Sequence, residues 1–179
     1  MRHLLPAIIL LVSALPAFAQ QTGKTINPDD RGYVVKVGDT APSFTIRYLD
    51  GTTKELGDLK GKVVMLQFTA SWCGVCRKEM PHIEADIWQK HKDNPNFVLL
   101  GIDLKEAPDA IKKFTEKTGV TYPLVMDSDG SIFAKYAEKN AGVTRNIIID
   151  KTGKITFLTR LFDEQEFRTM KDHIDSLLK

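Results

Sequence analysis

The chain has 179 residues and two cysteines, Cys73 and Cys76, with Gly74 and Val75 between them in FTASWCGVCRKEMP. A thiolate is both a nucleophile and a soft metal ligand, so such a pair has three readings. It is a redox couple, a structural bridge or part of a zinc site. A bridge across two intervening residues closes a small loop and removes little entropy from the unfolded chain. A domain of this length also builds a core without staples. Structural zinc wants four Cys or His ligands at set spacings. Beyond the thiols the candidates are His82, His91 and His173, with no second paired motif. Each of these histidines reads first as a surface or helix-face residue, so no metal is assigned.

The redox reading gains from the elements that must position the pair. Val63 to Phe68 is a short, nearly continuous apolar run, the pattern of a strand buried on both faces. After Cys73 the pattern turns helical, with Met80, Ile83, Ile87 and Trp88 at three- and four-residue steps to about His91. Pro81 lies inside this helix and is expected to kink it, because proline has no N–H to donate. The cysteines therefore stand where a buried strand ends and a helix begins. The free N–H groups and partial positive charge of a helix start stabilise a thiolate and draw its pKa down from about 8.5 toward 7 or below. Arg77 and Lys78 add screened positive charge. Cys73, at the cap, is expected to be exposed enough to attack, and Cys76, one turn in, to be the buried resolving thiol. Spacing i, i+3 puts both sulfurs on one helix face.

The rest of the chain gives the frame. Arg2 and His3, an apolar run from Leu4 to Val12 and Ala17-Phe18-Ala19 form the layout of a secretory signal peptide over residues 1–19, cleaved near Ala19. Pro6, Ser13 and Pro16 interrupt that run, which argues against an uncleaved span. Residues 20–36 are polar, with Gly23, Pro28 and Gly32, and read as a flexible lead-in. The net charge of +2 shows no clustered basic face, so nucleic acid is not an expected partner. From 37 to 179 one domain is expected. Ser43–Tyr48 and Thr52–Leu56 flank Asp50-Gly51 as a β-hairpin. Phe97–Ile102 is a second buried strand, residues 108–118 a helix ended by Gly119, Pro123–Met126 a strand and Ser131–Glu138 a short helix. Asn146–Ile149 and Lys154–Leu161 form a late hairpin, and Asp163 with Glu166 opens the last helix in capping-box spacing. The order implies an α/β fold with a mixed sheet covered by helices on both faces.

A C-x-x-C near a βαβ pattern is a redox signature. Val37-Gly38-Asp39-Thr40-Ala41-Pro42-Ser43-Phe44, Leu59-Lys60-Gly61-Lys62-Val63-Val64, the block Ala70 to Pro81, and Ile148-Ile149-Asp150 leading to Gly153 together carry a family resemblance. Over about residues 37 to 178 the sequence resembles the thioredoxin-like thiol:disulfide oxidoreductases, in the TlpA/ResA-like branch. The resemblance implies a three-layer thioredoxin-like fold with an N-terminal β-hairpin and a strand–helix insert. It implies disulfide reduction outside the cytoplasm, in the periplasm or an equivalent compartment. The implied partners are protein thiols or disulfides, such as apocytochromes or other exported proteins, and a membrane-embedded electron donor. No cofactor is implied beyond the Cys73–Cys76 pair itself.

The resemblance also implies roles at other positions. Trp72 would sit beside the disulfide and shape the docking surface, with Gly74, Val75 and Pro81 around it. Glu106 matches a glutamate that follows the second parallel strand in related reductases. It is either a proton relay for Cys76 or simply an acid favoured at the start of the next helix. The family's cis-proline loop is altered: Val143-Thr144-Arg145 puts Thr144 where the proline would stand. A cis bond before a non-proline costs about 3–4 kcal/mol, so Val143–Thr144 is expected to be trans or strained. Arg145 beside it either stabilises a thiolate or forms a surface salt bridge. Peroxiredoxins lack this proline, which makes a thiol peroxidase the enzymatic alternative. They carry Thr or Ser three residues before the reactive cysteine, where this chain has Ala70. A redox-inert binding module with a structural C-x-x-C is the remaining alternative.

Overall fold

The computed structural model describes residues 31–179. The expected signal peptide and the first part of the expected lead-in lie outside the described residues. A hairpin comes first, pairing β1 (Thr45–Arg47) with β2 (Thr53–Glu55). Its turn is held by Asp50, whose carboxylate accepts from the Thr52 N–H and hydroxyl, and Gly51 supplies φ +86°. β2 is shorter than expected because Leu56 already begins a 3-10 turn that runs to Leu59.

Five strands form the main sheet: β3 (Val63–Thr69), β4 (Phe97–Leu104), β5 (Leu124–Asp127), β6 (Arg145–Ile149) and β7 (Ile155–Arg160). Their order is β5-β4-β3-β6-β7. β3, β4 and β5 run parallel, while β6 and β7 are antiparallel to their neighbours. Every residue of β3 is buried, which is why its sequence is an apolar run rather than an alternation. The sheet is thus mixed. Its first helices are α1 (Gly74–Ile83), α2 (Gln89–His91) and α3 (Pro108–Thr118), and α3 with β5 forms the strand–helix insert at the parallel edge. Two further helices are α4 (Phe133–Tyr136) and α5 (Glu164–Leu178). α3 opens with proline in its first turn and closes on Gly119 at φ +70°. In α5 the Asp163 carboxylate accepts from the Glu166 N–H at 2.8 Å, as its capping spacing requires. α4 is a single turn, shorter than the eight residues expected from Ser131 to Glu138.

Strand register assigns the two faces. Gln67 and Asn146 are opposed in the β3–β6 ladder, as are Phe68 and Arg145. Opposed residues share a face, and successive residues alternate. Gln67 and Asn146 point to α1, through Glu79, and α5 lies on that face too, with Phe167 edge-on to His82 of α1. Phe68 points the other way and meets Phe133 and Tyr136 of α4. Tyr33 joins this second face. Its hydroxyl donates to the Thr159 carbonyl and its backbone bridges Ala137. Tyr33 and Val35 are buried, so the end of the expected lead-in is corrected: packing begins before residue 37, because an aromatic ring there covers the sheet.

Candidate active site

Cys73 is the N-cap of α1, and its sulfur accepts the Cys76 N–H at 3.1 Å. A sulfur in that position satisfies one of the donors a helix start leaves open. Cys73 and Cys76 are joined as a disulfide with Cα atoms 5.3 Å apart. Cys76 is fully enclosed, while Cys73 keeps 9 % of its surface. The expected order of exposure holds, but Cys73 is more enclosed than expected. The open part of the site is Trp72, which leaves 63 % of its surface to solvent. Gly74 is exposed and Val75 half-buried beside it.

The segment in front of the pair is clamped from both sides. Glu106 accepts from the Ser71 N–H and from the Ser71 hydroxyl, each at 2.5 Å. Arg77 donates to the Ser71 carbonyl at 2.5 Å. Both carboxylate oxygens serve Ser71, two residues before Cys73, so the side chain positions the loop in front of the pair. It reaches Ser71 because Lys105 turns the chain at φ +60° where β4 ends.

Pro81 is exposed on α1, and the helix irregularity it was expected to cause appears three residues later. Glu84 to Trp88 form a π turn, and the Glu84 N–H is shared by the Met80 and Pro81 carbonyls. Trp88 is partly buried against the core and donates to Thr121 at 2.9 Å.

The altered loop is trans at Val143–Thr144, as no described peptide bond is cis. Thr144 is buried, and its hydroxyl lies 3.1 Å from the Cys73 sulfur and 3.2 Å from the Cys76 sulfur. Val143 is buried beside it. Arg145 is a correction. It is fully enclosed, with its guanidinium 4.4 Å from the Tyr33 ring centroid and bonded to the Gly142 and Arg31 carbonyls. Strand alternation turns Arg145 to the Phe68 face, where it is buried and anchors the residues around Tyr33.

Of the three buried acids among the described residues, Glu79, Asp103 and Asp127, the first two bear on the site, and residue type alone does not single them out. Glu79, 1 % exposed, accepts from Asn146 at 2.6 Å and from Gln67 at 3.4 Å. Gln67 in turn accepts from the Tyr122 hydroxyl at 2.6 Å. Burial pushes the Glu79 carboxyl up to about 7, against the opposing effect of those hydrogen bonds. The signal was present: Cys76, Glu79, Met80 and Ile83 share the inward helix face. Asp103 closes the buried end of β4, and neither of its oxygens meets a donor. Burial, and then the nearby Glu106 charge, push it up to about 8. An aspartate within the apolar run Phe97–Leu104 was its only mark in the sequence.

Among the described residues no group of three or more His, Cys, Asp or Glu is placed to hold a metal. The three histidines are apart: His82 on Phe162, His91 with Asp175, and His173 with Thr156.

A Cys-x-x-Cys disulfide at the start of a helix on a mixed α/β sheet defines a thioredoxin-like thiol–disulfide oxidoreductase. Residues 36–177 match the Redoxin family, and the chain belongs to it. Proteins named thiol-disulfide oxidoreductase ResA are similar along most of its length. The one from Bacillus anthracis is 29 % identical over 172 residues, covering 96 % of this chain and 91 % of the relative. The one from Geobacillus thermodenitrificans is 32 % identical over 146 residues, covering 80 % and 79 %. A solution structure from Bacteroides thetaiotaomicron, provisionally described as a protein disulfide isomerase, is 57 % identical with a TM-score of 0.80. It covers 82 % of this chain and 92 % of that one. A Chlorobium tepidum structure, provisionally described as the thiol:disulfide interchange protein DsbE, is 25 % identical with a TM-score of 0.69, covering 81 % and 99 %. The thiol peroxidase alternative is not favoured by this company, nor by Ala70, and the inert binding module gives way to an oxidoreductase.

Proposed function

We propose that the protein is an extracytoplasmic reductase of disulfides in exported proteins, working through Cys73 and Cys76. The observation that carries this reading is the sulfur of Cys73 at the start of α1, accepting a helix N–H beside the exposed Trp72. The Cys73 thiolate attacks a sulfur of the substrate disulfide. One S–S bond forms, the substrate's breaks, and the first substrate thiolate leaves. Cys76, deprotonated, then attacks Cys73, closes the Cys73–Cys76 bond and releases the second thiolate. Two electrons pass to the substrate, and the two protons of the dithiol end on the released thiols through solvent. A membrane-embedded donor would restore the dithiol. Trp72, Gly74 and Val75 form the surface the substrate meets, and Glu106 and Arg77 hold the loop in front of it. Domain limits follow the same reading: residues 1–19 are a signal peptide removed near Ala19, and the catalytic domain occupies the remainder after the lead-in.

The reading is supported by the ResA and DsbE relatives, whose names describe exchange of thiols and disulfides. Apocytochromes and other exported thiol proteins are the substrate class proposed. The test is a trap. Cys76→Ala is expected to accumulate mixed disulfides through Cys73, and Cys73→Ala to trap none. Trapping through Cys76 would reverse the assignment. Direction is read from the native host: a reductase is found mainly as dithiol, whereas a protein found oxidised that introduces disulfides into reduced substrates is not one.

A further inference from the structure

One hydroxyl touches both reacting sulfurs. In the disulfide neither sulfur carries a proton, so Thr144 is the donor in both contacts, at 3.1 Å to Cys73 and 3.2 Å to Cys76. Its near-equal reach is imposed from behind. The Leu161 N–H donates to the Thr144 carbonyl at 3.1 Å, and Leu161 itself is held at φ +66°. Arg160 donates to the same carbonyl at 3.4 Å. Its guanidinium also fills the space that a side chain at Gly142 would need, within 2.2 Å of where a Cβ would stand. A left-handed leucine is a costly conformation, and it is retained here at the residue that grips Thr144. The hydroxyl is buried with Thr144, so water does not compete for it.

We propose that Thr144 is a catalytic residue of the exchange, a single hydrogen-bond donor that turns between the two sulfurs as charge moves between them. In the dithiol state it donates to the Cys73 thiolate, alongside the Cys76 N–H. During resolution the charge sits on Cys76 as that thiolate attacks Cys73, and the same hydroxyl lies 3.2 Å from it. No proton is transferred; the hydroxyl stabilises whichever sulfur is ionised. A charge-assisted hydrogen bond is about twice as strong as a neutral one, so the contact favours the dithiol–thiolate form over the disulfide. Thr144 therefore makes the pair a better oxidant, and a more rapidly attacking one at neutral pH, than the same pair without that donor. A proline at this position has no hydroxyl, so this donor belongs to the threonine. The inference rests on exchange through Cys73 and Cys76 and is independent of its direction.

The test compares Thr144→Ser with Thr144→Ala. Both lack the γ-methyl, so they share any packing defect and differ in the hydroxyl alone. Two readouts are taken on the full domain: the pH dependence of Cys73 alkylation in the reduced protein, and the redox equilibrium with glutathione. The Thr144→Ser protein is expected within twofold of wild type in both. The Thr144→Ala protein is expected to show about tenfold less Cys73 thiolate at neutral pH. Its equilibrium is expected to shift about tenfold toward the disulfide, about 30 mV more reducing. Thr144→Val, nearer in volume to threonine, should follow Ala. Serine and alanine variants that coincide in both readouts would overturn the proposal, whether they match wild type or depart from it together. Absence of any rapidly alkylated thiol near pH 6–7 in the wild type would instead overturn the assignment of Cys73 itself.

Discussion

Two glutamates stand close to the disulfide in sequence or in space, and their surroundings give them different chemistry. Glu106 lies on the loop after β4 and spends both oxygens on Ser71. Glu79 lies on α1, three residues past Cys76, and is enclosed between the helix and the Gln67–Asn146 pair of the sheet. Glu106 works as a clamp on the chain. Glu79 is a buried acid raised to about 7, which titrates in the range where thiols exchange. Residue type says little about either role; the number of donors and the absence of water decide it.

The largest expected effect that would break this contrast is in the pH dependence of stability. The folded Glu79 keeps its proton up to about pH 7, whereas in the unfolded chain it ionises near the ordinary glutamate value of 4.5. Between those limits the native state binds more protons than the unfolded state, so stability falls as pH rises. The loss across pH 5 to 8 is on the order of 3 kcal/mol from this group. Asp103, raised to about 8, adds a slope of the same sign. Denaturant melts of Glu79→Gln are expected to show a shallower slope, and an unchanged slope would mean that Glu79 is not the buried acid described. Next in size, Glu79→Ala leaves Asn146 and Gln67 without their partner and is expected to cost about 2 kcal/mol at pH 6. Calorimetry at that pH would read it. Glu106→Ala should cost less, about 1 kcal/mol, because Ser71 can turn to water. Its distinguishing sign is kinetic: attack by Cys73 should slow severalfold in a disulfide-reduction assay, while the part of the pH slope that Glu79 supplies stays as in wild type and only the Asp103 part falls. Smallest of all, Arg77→Ala removes one exposed bond to Ser71 and is expected to move the melt by no more than about 0.5 kcal/mol. If Glu106→Ala and Glu79→Ala behaved alike in rate and in pH slope, the contrast between clamp and buried acid would be lost.

Much of this was legible from local pattern. The strand Val63–Thr69, the helix after Cys73, the Gly119 stop and the Asp163 cap follow from periodicity and turn chemistry. Those signals span a few residues and are largely set by backbone geometry. Arg145 shows where local pattern stops being enough. A charged residue next to a proposed contact loop suggests a surface role, but register against Phe68 turns it inward onto Tyr33. Tyr33 likewise sits in a polar stretch, and only its meeting with β7 and α4 makes it core. Glu106 meets Ser71 through the turn at Lys105, which is not visible in residue type.

The sequence by itself determined the redox pair. Cys73 and Cys76 share a helix face because a helix repeats every 3.6 residues, and the first of them caps it because a strand ends there. What only the tertiary structure decided is the company the pair keeps. Thr144, about seventy residues on, reaches both sulfurs, Glu106 reaches Ser71, and Glu79 lies under the sheet's polar pair. Those contacts depend on strand order and register, which arise from the burial of the whole core and leave no local mark at the residues concerned.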